Sequence, residues 1–397
     1  MPARYETFVN SGMKIAVVGA GTVGAAIARL LCAEPRVTTV NVIDRNGFSL
    51  DELTERVQSP KLRTHRVKIE REMSIVGLLK GTDVLISALP FKQNVKLTGI
   101  ALSLGAHYVD LGGDDTTYAG ELGYQDTALA AGKWVVPNCG LAPGLTNILA
   151  MHGYESFDSV ESIRIRAAAL PKAPIPPLNY QLSFSPQGLV NEYLSTTVIL
   201  EDGKLTERKA LDGLEEVAFT GLPGTDTLEA FYTGGSATTL ARHLEGKVRD
   251  LDFKTMRFKG HRDLIQSLFE LGFASSQIID VRVNLSFRDL LIRQLRRYLP
   301  SGGEDFVVMK VAVTGVRAGR RVLREYTMHA EGRPEQGLTA MMACTAVPTV
   351  VAALMIGEGR LERTGGVSAP EFLLPKQEVI DRVIAMGLPL TMTERSV

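Results

Sequence analysis

The run Val17-Val18-Gly19-Ala20-Gly21-Thr22-Val23-Gly24 closes an apolar stretch with strand character and opens a helical one. In that setting Gly19 permits a tight turn, Gly21 lets the backbone approach an anion, and Gly24 lets helix and strand pack closely. A helix beginning at Thr22 and Val23 offers free N–H groups and partial positive charge to a pyrophosphate. Asp44 follows Gly24 by twenty residues, the distance at which a carboxylate hydrogen-bonds a ribose 2′-OH. The spacing therefore predicts a dinucleotide site. Asp44 favours NAD over NADP, although Arg45 beside it is a residue type that accepts a 2′-phosphate.

Other runs follow predicted strands. Ser87-Ala88-Leu89-Pro90 and Leu111-Gly112 would sit at the carboxyl edge of a sheet, where such ligands lie. Asp114 and Asp115 close the run 110–115 (DLGGDD); a carboxylate there, such as Asp114, could receive a substrate's amine or take its proton, or it could cap a helix near Thr117. The segment 138–147 marks a crossover to a second domain. Cys139 within it has no neighbouring His and is not read as a nucleophile. Residues 231–242 (FYTGGSATTLAR) resemble an anion cradle, in which Tyr232, Gly235, Thr238 and Arg242 supply backbone N–H groups, hydroxyls and a guanidinium. Lys259-Gly260-His261 offers a second basic cluster. The remaining histidines lack metal-ligand spacing, so no metal is expected.

The elements that must position these residues alternate regularly. Candidate strands fall at 14–18, 38–43, 65–69, 83–88, 107–111 and 133–136, with helices near 22–33, 76–79, 95–104 and 117–131. That alternation predicts an α/β fold with a Rossmann doubly wound parallel sheet. Beyond about residue 155 the segments 162–168, 252–258 and 280–285 alternate at period 2, and 306–316 with 321–330 read as a long hairpin. This half is expected to be a mixed α+β substrate and dimerisation domain, an open sheet with helices on one face. The expected divisions are a disordered leader at 1–12, a dinucleotide-binding domain at 13–148, the second domain at 149–337, and a helical segment at 338–397 packing back on the first. The stretch 338–357 is uncharged but contains Pro348 and lacks flanking aromatic anchors. It reads as a buried helix rather than a membrane span.

Composition agrees. The chain has 397 residues, 45% apolar and 22% charged, enough for two domains with ample cores. Lys+Arg and Asp+Glu both total 44, which leaves no electrostatic footprint for nucleic acid or an acidic membrane. Three cysteines without C-x-x-C spacing argue against a secreted disulfide framework and for the cytoplasm. The expected partner is a small amino acid or amine, and the expected assembly a homodimer or larger homo-oligomer.

The motifs GAGTVG (19–24), VDLGGD (109–114), GLAPGLTNI (140–148), PPLNY (176–180), EAFYTGGSATTLAR (229–242), KTMRFKGH (254–261) and TAMMACTA (339–346) carry a family resemblance. From Met13 onward the sequence resembles the saccharopine dehydrogenase-like family, and within it is most similar to the bacterial lysine 6-dehydrogenases. The resemblance implies NAD-dependent oxidative deamination of the 6-amino group of L-lysine to 2-aminoadipate 6-semialdehyde, which cyclises to an imine. Such a reaction needs a base for the ammonium, for which Asp114, Tyr180 and His261 are candidates. It also needs a positive anchor for the α-carboxylate, for which Arg242 and Lys259 are candidates. A saccharopine dehydrogenase or an opine- or polyamine-type imine reductase is the same-class alternative. A non-catalytic dinucleotide-binding redox sensor is the alternative from another class.

Overall fold

The computed structural model describes residues 12–219, 221–222, 226–282, 284–361 and 365–397. All of the expected leader except Gly12 lies outside the described residues. The chain forms two compact units. One runs to Gly140 and includes Thr345–Pro375; the other comprises Leu141–Cys344 and Lys376–Val397.

The first unit is built on a seven-stranded parallel sheet. Its order across the sheet is Gly366–Val367, Trp134–Val136, His107–Asp110, Val84–Ser87, Met13–Val18, Val37–Asp44 and Leu62–Arg66. Every residue of Val84–Ser87 is buried, as a central parallel strand covered on both faces requires. Ala16, Val18, Leu85, Tyr108 and Val135 join Leu97 and Ala101 of the helix Asn94–Ser103 in one core cluster. The order reverses about Met13–Val18, so the carboxyl ends of the central strands open a crevice, the usual ligand position in such sheets.

Two details differ from the sequence expectation and one enlarges it. The third strand ends at Arg66, not residue 69. The stretch 117–131 is two helices, Asp115–Leu122 and Gln125–Ala130. The last strand, Gly366–Val367, comes from the C-terminal region, whose continuous helical reading gave no hint of it.

The second unit holds a nine-stranded mixed sheet. Its main path runs Glu215–Ala218, Thr227–Tyr232, Val248–Arg257, Ser159–Pro171, Asp305–Arg317, Arg320–Glu331 and Leu390–Ser396. The long hairpin is present, paired from Phe306↔Glu331 to Arg317↔Arg320. Helices cover both faces, not one. Leu189, Val190, Ile265, Leu291 and Leu295 pack with Ala168, Met256 and Val308 on one side. On the other, the helix Leu145–Glu155 packs against Ser159–Pro171 and Asp305–Arg317.

The period-2 pattern at 280–285 is mostly turn, flanked by the short strands Ile278–Asp280 and Leu285–Ser286, and Val281 is 86% exposed. None of its described residues is buried, so the alternation specifies no long strand. The domain boundary falls at 140/141 rather than 148. The C-terminal segment does not pack as one piece: 345–375 belong to the first unit and 376–397 to the second. Among the described residues one helix, Ala340–Gly357, is long and apolar enough to cross a membrane, and 89% of it is buried inside the protein.

Candidate functional site

The glycine turn between Met13–Val18 and the helix Thr22–Ala33 has the geometry a dinucleotide needs. Gly19 adopts φ +113, and a Cβ there would lie 2.7 Å from the Ala88 carbonyl oxygen. A Cβ on Gly24 would lie 2.0 Å from the Gly19 carbonyl oxygen, so only glycine allows this close packing. Gly21 differs: a Cβ there meets nothing within 4 Å. The space in front of it is open to a ligand. Gly21 and Thr22 are exposed, and the helix they start has no side-chain cap and no acidic residue in its first turn. Its leading N–H groups and its dipole are therefore available to an anion.

Asp44 ends Val37–Asp44 beside this turn. Its Oδ2 accepts the Ala20 N–H at 2.7 Å and its Oδ1 the Asn46 N–H at 2.7 Å. The carboxylate is held firmly, and each oxygen retains capacity for a ribose hydroxyl. A cavity of about 420 Å³ lies here, lined by Gly19, Gly21, Asp44, Arg45, Ala88, Leu89 and Pro90. It brings together most of the expected cofactor residues. Thr22, Val23, Gly24, Ser87, Leu111 and Gly112 are not in its lining. Ser87 is buried and donates to Asn94 Oδ1 at 2.8 Å, which braces the strand end beneath it.

Ser49, Val67, Ile69, Glu70 and Gln93 also line the cavity, and sequence reasoning missed all five. The signal for three of them was present but misregistered: with the third strand ending at Arg66, residues 67–70 become a loop at the ligand edge. Glu70 thereby adds a second carboxylate to the cavity.

In the second unit the expected substrate residues separate. Glu229↔Arg257 and Tyr232↔Lys254 are antiparallel partners. The chain beyond Tyr232, with Gly235, Thr238 and Arg242, therefore leaves one end of this strand pair, and Lys259 and His261 leave the other. Lys259 and His261 thus stand at the opposite end of this strand pair from the segment that carries Arg242. Arg242 is exposed on the helix Thr238–Leu244. Lys259 is a surface residue whose Nζ lies 2.7 Å from Glu216 Oε1.

Two of the three candidate bases are core residues. His261 is 0% exposed and Tyr180 1% exposed. The His261 Nδ1 bonds to the Leu178 carbonyl at 2.7 Å and its Nε2 to the Tyr193 hydroxyl at 3.0 Å. Burial, reinforced by the Arg257 charge, lowers the imidazole pKa to about 3. The neutral ring thus donates through Nδ1 and accepts through Nε2, leaving neither nitrogen for a substrate. Tyr180 stacks edge-on against His261, bonds Ser183 Oγ at 3.0 Å, and lies 5.0 Å from the buried Arg257 guanidinium. Arg257 in turn donates to the Tyr193 hydroxyl at 3.0 Å. This network is a satisfied polar core, and it corrects the reading of Tyr180 and His261 as bases. Asp114 remains exposed; its Oδ1 accepts from the Thr117 N–H at 2.8 Å and hydroxyl at 2.7 Å, capping the helix Asp115–Leu122. Among the described residues no group of three His, Cys, Asp or Glu is arranged to hold a metal.

Comparison with known families decides what this architecture belongs to. The saccharopine dehydrogenase NADP binding domain matches residues 15–136, and the saccharopine dehydrogenase C-terminal domain matches residues 140–388. The chain belongs to the saccharopine dehydrogenase family. It is thus an oxidoreductase of that family with a nicotinamide dinucleotide cofactor, and the open glycine turn and carboxylate-lined cavity fit that group.

Within the saccharopine dehydrogenase family, carboxyaminopropylagmatine dehydrogenase from Synechocystis sp. is 22% identical over 406 aligned positions, covering 95% of this chain and 96% of that one. Saccharopine dehydrogenase (L-Glu forming) from Saccharomyces cerevisiae has a TM-score of 0.78 at 15% identity, covering 97% of this chain and 100% of that one. Homospermidine synthase from Legionella pneumophila, in complex with NAD, has a TM-score of 0.69 at 13% identity, covering 96% and 91%. The two structural likenesses are likenesses of fold.

Proposed function

We propose that the chain is an NAD-dependent amine dehydrogenase whose reaction is oxidative deamination of the 6-amino group of L-lysine. The observation that carries the NAD part is the cavity beside Gly19 and Gly21, into which both Asp44 and Glu70 face. Two carboxylates favour ribose hydroxyls and oppose a 2′-phosphate, and Arg45 alone offsets only part of that charge. The lysine part is supported by the motif resemblance in 229–261.

When bound, the dinucleotide supplies the hydride acceptor. The chain's own residues do the rest. The Thr22–Ala33 helix start holds the pyrophosphate, and Asp44 holds the ribose. The substrate must present a neutral amine, because an ammonium nitrogen has no lone pair with which to expel hydride. Asp114 takes that proton on its Oδ2, Thr117 occupying Oδ1. Water adds to the imine carbon and ammonia leaves. Lysine with its ammonium group, NAD⁺ and water thus give 2-aminoadipate 6-semialdehyde, NADH, ammonium and one proton, the one Asp114 passes on. Lys259, tied to Glu216 at the surface, has no role in this scheme.

A second reading, a saccharopine-, opine- or polyamine-type imine reductase, draws support from the curated relative, which spans nearly the whole chain and is named for carboxyaminopropylagmatine. The test incubates purified protein with NAD and a panel of lysine, ornithine, polyamines, saccharopine and opines. NADH is followed by absorbance, and the cyclic imine is trapped with an aldehyde reagent. The proposal expects NADH from lysine, with turnover rising through the alkaline range because the free amine has a pKa of about 10.4. NADH from saccharopine or an opine but none from lysine would hand the case to the second reading.

A further inference from the structure

Asp110 ends the strand His107–Asp110 and is 1% exposed. Its Oδ1 accepts two backbone N–H groups, from Gly112 at 2.8 Å and from Asn138 at 2.9 Å. The first lies in the loop after its own strand, the second in the loop after the neighbouring strand Trp134–Val136. The Cys139 N–H, 2.8 Å from the Asp110 backbone oxygen, adds a third tie. One residue therefore binds two adjacent loops together. Both stand on the carboxyl edge that carries the glycine turn, since Val18 is registered with Ser87 and Ser87 with Asp110.

The other oxygen, Asp110 Oδ2, is fully enclosed and accepts from no N–H or hydroxyl group. Glu121, on the helix Asp115–Leu122, is also 1% exposed, and its Oε1 likewise meets no such donor. The two carboxyl groups stand within each other's electrostatic and hydrogen-bonding reach. Two acceptors can bond only with a proton between them, and two ionised carboxylates in one enclosed site repel strongly. Burial first, and then the charge and bond of Asp110, push the Glu121 carboxyl up to about 11. Tyr108 on the same strand as Asp110, Tyr118 on the helix of Glu121, Cys139 on the second loop and Glu371 on Pro370–Leu373 complete the surroundings. Burial and these carboxylates keep the two phenols and the thiol protonated.

We propose that Glu121 is a positioning residue for the dinucleotide edge: through one proton shared with Asp110 it fixes the carboxylate that ties loops 111–114 and 137–140 together. The proposal rests on the dinucleotide reading of this sheet. Glu121 touches no cofactor or substrate; it acts through Asp110. A Gln at 121 keeps a donor for Asp110 Oδ2, whereas an Ala leaves that oxygen without one beside a void.

The test uses the full chain. NADH affinity is read by fluorescence for wild type, Glu121→Ala and Glu121→Gln, together with the infrared carbonyl stretch of protonated carboxyl groups near neutral pH. Glu121→Ala should weaken NADH binding about tenfold or more, the loss expected when a buried charged acceptor is left unpaired. Glu121→Gln should restore binding to within about twofold of wild type. The infrared difference between wild type and Glu121→Gln should contain a protonated-carboxyl band. Wild-type affinity in Glu121→Ala, failure of Gln to rescue, or a difference spectrum without that band would overturn the proposal. If Glu121→Ala does not fold, the Gln variant and the spectrum still decide. Should wild type bind no NADH, the dinucleotide reading fails while the spectrum continues to test the shared proton.

Discussion

The Asp44 carboxylate accepts the Ala20 N–H at 2.7 Å, across a sequence separation of 24 residues. The acidic end of the second strand is thereby fastened to the middle of the glycine turn. Asp44→Ala should therefore do two things. If Asp44 holds the ribose, the substitution removes the hydrogen bond to the 2′-OH and the charge that opposes a 2′-phosphate. We expect the NAD/NADP ratio of kcat/KM to favour NAD in the wild type. In the variant it should fall by about ten- to a hundredfold, the worth of a charge-assisted hydrogen bond of roughly 1.5–3 kcal/mol. A larger kcat/KM for NADP in the wild type would refute the assignment.

Glu70→Gln tests the second carboxylate separately. It should improve NADP use without changing the melting temperature, because Glu70 stands in a loop at the cavity wall. No change in NADP kinetics would remove Glu70 from the recognition of this ribose.

Gly21 and Gly24 should respond in opposite ways to the same added methyl group. Gly21 has φ −71 and ψ −173, which any residue adopts, and its Cβ would meet no protein atom. Gly21→Ala should keep wild-type stability and raise the KM for the dinucleotide. In Gly24→Ala the Cβ would meet a backbone oxygen at 2.0 Å, an overpacking that costs about 1–3 kcal/mol or more. Denaturant melts with cofactor titrations separate the two. A Gly21→Ala protein with unaltered cofactor affinity would show that the open space is not the pyrophosphate site.

His261 predicts an acid-side loss of stability. Its pKa is about 3 in the folded protein against an ordinary 6.5, so below pH 6.5 the unfolded chain binds a proton that the folded chain refuses. Stability from this group is complete above pH 6.5. It falls by about 1.4 kcal/mol per pH unit below that, down to the folded value. His261→Gln, which can still donate to Leu178 and accept from Tyr193, should flatten that part of the pH–stability curve. Its kcat–pH profile should match wild type. Loss of the acid-side limb in that profile, together with a large fall in kcat, would restore His261 as the base.

Arg242 and Lys259 provide a contrast. If Arg242 anchors the substrate carboxylate, Arg242→Ala raises the substrate KM about ten- to a hundredfold and leaves cofactor affinity alone. Lys259→Ala should change neither, since Lys259 is a surface residue paired with Glu216, and solvent screens such exposed pairs. The reverse pattern would move the anchor to the Lys259 end of the strand pair.

What sequence could and could not disclose follows from how far each feature reaches along the chain. The glycine turn and Asp44 were legible because backbone geometry dictates both over a short stretch. Glu70 was hidden by a shift of a few residues at the end of the third strand, which turned loop residues into apparent strand. Arg242, Lys259 and His261 looked clustered because only seventeen positions separate Arg242 from Lys259. The antiparallel register of Tyr232 with Lys254 sends them to opposite ends. The burial of His261 depends on Tyr180 and Tyr193, and that of Glu121 on Asp110. No local pattern encodes such partners.

The split C-terminal segment sets the timetable of synthesis. Val367 donates its N–H to Gln125 Oε1 at 2.7 Å, 242 residues away, and its strand completes the sheet beside Trp134–Val136. The final strand, Leu390–Ser396, pairs with Arg320–Glu331 only after that. Domains made first ordinarily fold first on the ribosome. Here the strand Trp134–Val136 waits, without its neighbour Gly366–Val367, until those residues have been made. A nascent chain stalled before residue 366 would carry that unpaired edge into a crowded cell, where edge-to-edge association is the hazard. A pulse of protease on ribosome-bound chains of increasing length should find the first unit resistant only after its late strand has emerged.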